Sequence, residues 1–166
     1  MATIRFSKLR DYELMLGKIG AASKDICGAA IYEGAKIIAD EVKANLESLK
    51  TVSDADAIQA AKKEEATYLT IRAKKGLIKS FGVTPMSQDD RGIYYVKLGF
   101  EVYIDVKTKK WPKGQPNQLI ARACESGSSA MIKQPFFREA VQKTKKKAES
   151  RMAEVLDEKI KKTGGF

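Results

Sequence analysis

Two acidic pairs, a lysine cluster and a lone tryptophan are the side chains of this sequence best suited to chemistry. Asp54 and Asp56 stand two residues apart, and Asp89 adjoins Asp90. Paired carboxylates can hold Mg²⁺ or exchange protons. Both pairs also fall where aspartate serves local structure, one at a predicted helix start and the other in a predicted hairpin turn. Lys143, Lys145, Lys146 and Lys147 put four cations into five residues, a density that neutralises phosphates. That segment lacks interleaved aromatics and an arginine fork for reading bases, and acidic residues follow it, so a solvated helix face competes with a nucleic-acid contact. Trp111, flanked by Lys109, Lys110 and Lys113, has the composition of a base-stacking loop. A loop anchor or a contact between subunits explains it equally well, since aromatics are enriched at interfaces.

What the chain lacks narrows the choice further. It contains no histidine, which removes the commonest general base and most zinc and non-haem iron sites. Cys27 and Cys124 lie far apart with no second Cys or His at ligand spacing, so both read as small core residues. No Walker sequence or G-x-G-x-x-G occurs, and Gly127-Ser128-Ser129 reads as a turn between helices. No catalytic, cofactor-binding or metal-ligating set emerges, and the expected role is binding rather than catalysis.

The chain has 166 residues, 43% of them hydrophobic and 31% charged, enough for the core of one domain. A net charge of +10 favours anionic partners, either nucleic acid or an acidic protein surface. No apolar run approaches the ~20 residues that span a bilayer, and residues 1–6 lack the apolar stretch of a signal peptide. Synthesis in a cytoplasm and no membrane partner are therefore expected.

Periodicity supplies the elements that must position these residues. Residues 3–6 alternate as a short edge strand, and 9–19 form a short helix with Tyr12, Leu16 and Ile19 on one face, broken by Gly17 and Gly20. Ser23 is the expected cap of a long helix marked by Ile31, Ala35, Ile38, Val42, Leu46 and Leu49. Ser53 and Asp56 resemble a capping box, followed by a polar helix over 58–71 that ends at Lys74-Lys75-Gly76. Strands are expected at 81–86, 93–98 and 101–106, with a turn at 88–92. Residues 107–116 read as an exposed basic loop, and Asn117 as the cap of a short helix over 118–124. Pro135 opens a last helix whose apolar face runs through Phe137, Val141, Ala148, Met152, Val155 and Ile160. The layout is α+β: a small antiparallel sheet of about three to four strands packed against long N- and C-terminal helices. One domain spans 1–166, with 51–75 as a helical insertion.

Two segments carry a family resemblance. One is Gly76-Leu77-Ile78-Lys79-Ser80-Phe81-Gly82-Val83. The other runs from Gly114 through Glu125-Ser126-Gly127-Ser128-Ser129 to Lys133-Gln134-Pro135-Phe136-Phe137-Arg138-Glu139-Ala140. Together they resemble the tail-completion, or head–tail joining, family of minor tail proteins of long-tailed bacteriophages and prophages. Pro135-Phe136 before a long helix is the most specific part. The likeness covers residues 24–50 and 76–162. The chain departs from the family where Ser126 and Ser128 replace an aromatic and a threonine around Gly127, and where 51–75 replace a short proline-containing loop.

The resemblance implies a structural virion protein, a subunit of a hexameric ring that completes the head-proximal end of the tail. Its implied neighbours are the tail terminator, the tail tube and the connector, with genomic DNA a possible contact in the lumen. Gly76, Leu77, Ser80, Glu125, Gly127, Pro135, Phe136 and Phe137 become motif residues of the fold. Read as residues alone, Gly76 and Gly127 supply positive φ or close approach. Phe136 and Phe137 pin the last helix to the sheet. Glu125 caps the next turn or pairs with a lysine of a neighbouring chain. A basic nucleic-acid-binding protein is the alternative.

Overall fold

A computed structural model describes residues 9–101, 103 and 111–164. The expected edge strand at 3–6 lies outside them. Six helices and six short strands follow in the order α1 (Leu9–Ala21), α2 (Ser23–Ser48), β1 (Thr51–Val52), α3 (Asp54–Lys62), β2 (Leu69–Thr70), α4 (Ile71–Ser80), β3 (Phe81–Val83), β4 (Ser87–Gln88), β5 (Tyr94–Tyr95), β6 (Leu98–Phe100), α5 (Asn117–Ser126) and α6 (Phe137–Gly164). The class is α+β, with long helices towards both ends of the chain.

Helices α2 and α6 form an antiparallel pair. Glu41 meets Lys143 and Glu33 meets Arg151, so rising numbers on one helix face falling numbers on the other. Small residues allow the approach: α2 buries Ala30, Gly34, Ala35 and Ala39, and α6 buries Ala140, Thr144, Ala148 and Val155. A Cβ at Gly34 would fall 2.5 Å from Met152 Sδ and 2.6 Å from its Cγ. Gly34→Ala is therefore expected to destabilise by about 1–3 kcal/mol, the usual cost of overpacking, although alanine is the better helix former. Chemical denaturation of the variant measures it.

Several helix boundaries differ from expectation, each for a local reason. Gly17 and Gly20 lie inside α1 rather than breaking it. Ser23 does not cap α2, because α1 runs into it: Ala22 N donates to Lys18 O at 3.0 Å and Ile26 N donates to Ala22 O at 3.0 Å. A side-chain cap has no orphan donor to satisfy at such a junction.

The expected helix over 58–71 is also interrupted. Ser53 caps α3 as anticipated, accepting from Asp56 N at 3.1 Å. The helix then stops at Lys62, and Leu69 enters the core fully buried, in a strand that pairs in parallel with Thr51–Val52. Thr70 Oγ1 then accepts from Ala73 N at 3.2 Å and starts a new helix. Lys74, Lys75 and Gly76 therefore lie inside α4 and do not end anything. Lys74 Nζ donates to Glu47 O at 2.7 Å and Leu49 O at 2.9 Å, satisfying orphan carbonyls at the end of α2.

The sheet is an interrupted antiparallel hairpin rather than a continuous meander. Strands β3 and β6 pair Phe81 with Phe100, while β4 and β5 pair Ser87 with Tyr95. Between the two pairings, Thr84 N donates to Lys97 O at 2.8 Å and Lys97 N donates to Thr84 Oγ1 at 2.9 Å. The turn falls at the expected place. Asp89 Oδ1 accepts from Arg91 N and Ile93 N, and Gly92 takes φ +81°, the left-handed region that favours glycine. Of the expected third strand, Tyr103 bridges Pro116, whereas Val102 and 104–110 lie outside the described residues.

The main core gathers Val42 and Leu46 of α2, Leu69, Leu77 of α4, Phe81, Ile120 and Cys124 of α5, and Phe136. Cys124 is a core residue as expected, and Cys27 is half-buried.

Candidate assembly surfaces

The C-terminal motif residues meet at one clasp. After α5, Gly127 turns the chain at φ +79°, and a Cβ there would sit 3.1 Å from Lys133 Cβ. The returning chain closes on α5 when Gln134 N donates to Cys124 O at 2.8 Å. Glu125, projecting from α5, then receives the start of α6. Its Oε2 accepts from Phe136 N at 2.8 Å and Phe137 N at 2.9 Å, and its Oε1 accepts from Arg138 N at 3.1 Å. A carboxylate here satisfies three orphan donors at the positive end of the helix dipole.

Burial works against the charge of Glu125, but the three backbone N–H groups and nearby Arg138 outweigh it and hold the carboxyl below its ordinary pKa. Burial, and then the charge of Glu125, push the Cys124 thiol up to about 11. Cys124 is therefore protonated at neutral pH, and its thiol faces the Gln134 carbonyl oxygen at 3.7 Å.

Phe136 is 1% exposed and joins Phe81, Phe100 and Phe137 in an aromatic cluster, with ring centroids 5.2–6.5 Å apart. Asn45 Nδ2 of α2 donates to Phe136 O at 2.9 Å, tying the same point to the long helix. Pro135 is half-buried beside it. Gly76 is an ordinary helical residue rather than a positive-φ turn. Leu77 is fully buried, and Ser80 Oγ donates to Leu77 O at 3.3 Å. Asn117 does not cap α5: it is the first helical residue, 2% exposed, and its Nδ2 donates to Glu101 O at 3.1 Å.

The basic candidates on α6 are exposed or held in surface ion pairs. Lys145, Lys146 and Lys147 are exposed on α6. Lys143 Nζ lies 2.6 Å from Glu41 Oε1, Lys145 is 3.9 Å from Glu149, and Arg151 lies among Glu33, Glu154 and Glu158. Exposed pairs of this kind contribute little. Replacing Lys145, Lys146 and Lys147 together by alanine is thus expected to change stability by no more than about 1 kcal/mol in thermal denaturation. The same variant reports on the nucleic-acid alternative, which requires it to bind DNA more weakly at low salt and with a shallower salt slope. Lys109 and Lys110 lie outside the described residues, Trp111 is half-buried and Lys113 is exposed.

One member of each acidic pair serves structure. Asp56 accepts from Ser53 Oγ at 2.7 Å, and Asp89 holds the hairpin turn. Among the described residues, no group of three His, Cys, Asp or Glu is placed to hold a metal ion, and no helix is long and apolar enough to cross a membrane.

One feature escaped the sequence reading. A cleft of about 630 Å³ opens beside α4, between the start of α3 and the start of α5. Arg72, Lys75 and Lys79 line it, and their spacing of three and four puts them on one helix face. That spacing was visible in the sequence, but the helix boundary expected at Lys74-Lys75-Gly76, with a separate helical turn over Leu77–Ser80, split the three residues between two elements. Comparison with known proteins found no match among family models, curated proteins or solved structures.

Proposed function

We propose that this chain is a structural virion subunit of a bacteriophage or prophage, completing the head-proximal end of the tail and joining tail to head. It works as a ring subunit, hexameric to match tail symmetry, between the tail tube and the connector. The observation that carries this reading is the clasp. Glu125 and Phe136, two of the residues behind the resemblance to tail-completion proteins, bond directly at the start of the longest described helix, and Gly127 and Pro135 lie on the stretch of chain that brings them together. Their role there is architectural. The surplus of positive charge suits acidic neck or tail proteins, or DNA passing through the lumen.

A closed ring needs two different faces on each subunit, because its contacts are heterologous. The hairpin with the basic loop at 107–116 supplies one face, and the polar faces of the long helices supply the other. Purified protein mixed with tails lacking it is expected to co-sediment with them and to cap one end. Protein that stays in the supernatant at every concentration would overturn the reading. Portal, capsid or tail-tube genes beside this one would support it independently.

A further inference from the structure

The cleft beside α4 and the tip of the hairpin complement one another chemically and lie at opposite ends of α2. The cleft joins the cations Arg72, Lys75 and Lys79 to the exposed apolar surface of Ile71 and Tyr103, which are 50% and 49% exposed. Among the described residues, Asp54 is the one carboxylate lining it. Asn117 also lines it, nearly fully buried, and its Oδ1 has no hydrogen-bond partner among the described residues. A buried acceptor left unpaired costs about 1–3 kcal/mol, so this oxygen is a ready acceptor for a docked N–H.

The hairpin tip offers the matching groups. Asp90 is exposed beside the turn-holding Asp89, and Ile93 is 56% exposed. The Asp90 N–H makes no hydrogen bond among the described residues, so a backbone donor accompanies the carboxylate.

The two features cannot meet within one chain. Met86, in the distal half of the hairpin, packs over Gly28 and donates its N–H to Tyr32 OH at 2.8 Å, near the start of α2. Lys74 of α4 is bonded to the carbonyls of Glu47 and Leu49 at the other end. Fifteen residues from Tyr32, or nineteen from Gly28, lead along α2 to Glu47, about 22–29 Å at 1.5 Å per residue. A donor surface at one end and an acceptor surface at the other is the arrangement a head-to-tail ring requires.

We infer that the cleft beside α4 receives the Asp90–Ile93 hairpin tip of a second copy of this chain. In the joined pair, Asp90 faces Arg72, Lys75 and Lys79, Ile93 covers Ile71 and Tyr103, and Asn117 Oδ1 takes a backbone N–H of the tip. This contact rests on the ring reading above and names the two faces that form it.

Charge reversal with complementation tests the contact on the full chain in sedimentation-velocity runs. Asp90→Lys alone, and Arg72→Glu with Lys75→Glu alone, are each expected to weaken self-association by about 30-fold or more, since each sets like charges opposite one another. All three positions are exposed, so an unchanged melting temperature verifies folding. Mixing the two variants pairs the basic tip with the acidic cleft, and the acidic tip with the basic cleft, and is expected to restore assembly. Wild-type rings that survive both reversals, or variants whose mixture stays monomeric, would overturn this contact and leave the ring reading standing. Wild-type protein that stays monomeric throughout and still caps tails would likewise overturn the contact alone. Monomer that also ignores tails overturns both.

Discussion

Phe136→Ala is expected to cost about 3–5 kcal/mol, the range for emptying a buried aromatic site. Phe136 is 1% exposed and sits where four parts of the fold meet. Its ring lies edge-on to Phe100 of the hairpin at 6.0 Å and to Phe137 of α6 at 6.5 Å. Its carbonyl accepts from Asn45 of α2, and its N–H donates to Glu125 of α5. Those backbone bonds hold Cα in place, so the surroundings collapse poorly into the space left and the cost falls in the upper part of the range. For a chain of this length each kcal/mol shifts the melting temperature by about 2–4 °C, so a drop of about 8–15 °C is expected by calorimetry. Phe137→Ala, at a half-buried position, should cost visibly less.

Glu125→Ala is expected to cost about 2 kcal/mol, since it strips a charged acceptor from three backbone donors at the start of α6. Glu125→Gln separates shape from charge: it keeps one acceptor oxygen and loses the attraction of the helix dipole, so an intermediate loss is expected. The pH dependence has a definite sign. The folded pKa lies below the unfolded value, so the carboxylate's contribution is fully present above an ordinary glutamate pKa of about 4.3 and is lost as pH falls through the depressed folded value. Wild-type stability should therefore fall towards acid more steeply than that of Glu125→Gln, and the two curves should converge at low pH. Parallel curves in urea titrations across that range would mean that Glu125 does not act through its charge.

Much of this architecture was legible in the sequence because it follows from local signals. The apolar spacing along α2, the Ser53 cap, the turn at Asp89–Gly92 and the proline-led start of α6 each depend on residues close in the chain. The parts that were not legible depend on distant partners. Nothing near Leu69 announces that it pairs beside Thr51 and interrupts a helix-prone run. Gly17 and Gly20 read as breakers because the continuation of α1 into α2 satisfies donors that a free helix end would leave bare. Glu125 could be read as a cap or as a partner for a neighbouring lysine. The choice required knowing that Gly127 folds the chain back, so that Phe136 N comes within 2.8 Å of its carboxylate. The cationic face of α4 was hidden by a misplaced helix boundary, not by weak chemistry.

Electron microscopy of particles made without this gene tests the central claim most directly. If the chain joins tail to head, cells carrying the deletion should accumulate DNA-filled heads and separate tails, and supplying the intact chain should restore joined particles. Normal joined particles in its absence would contradict the account.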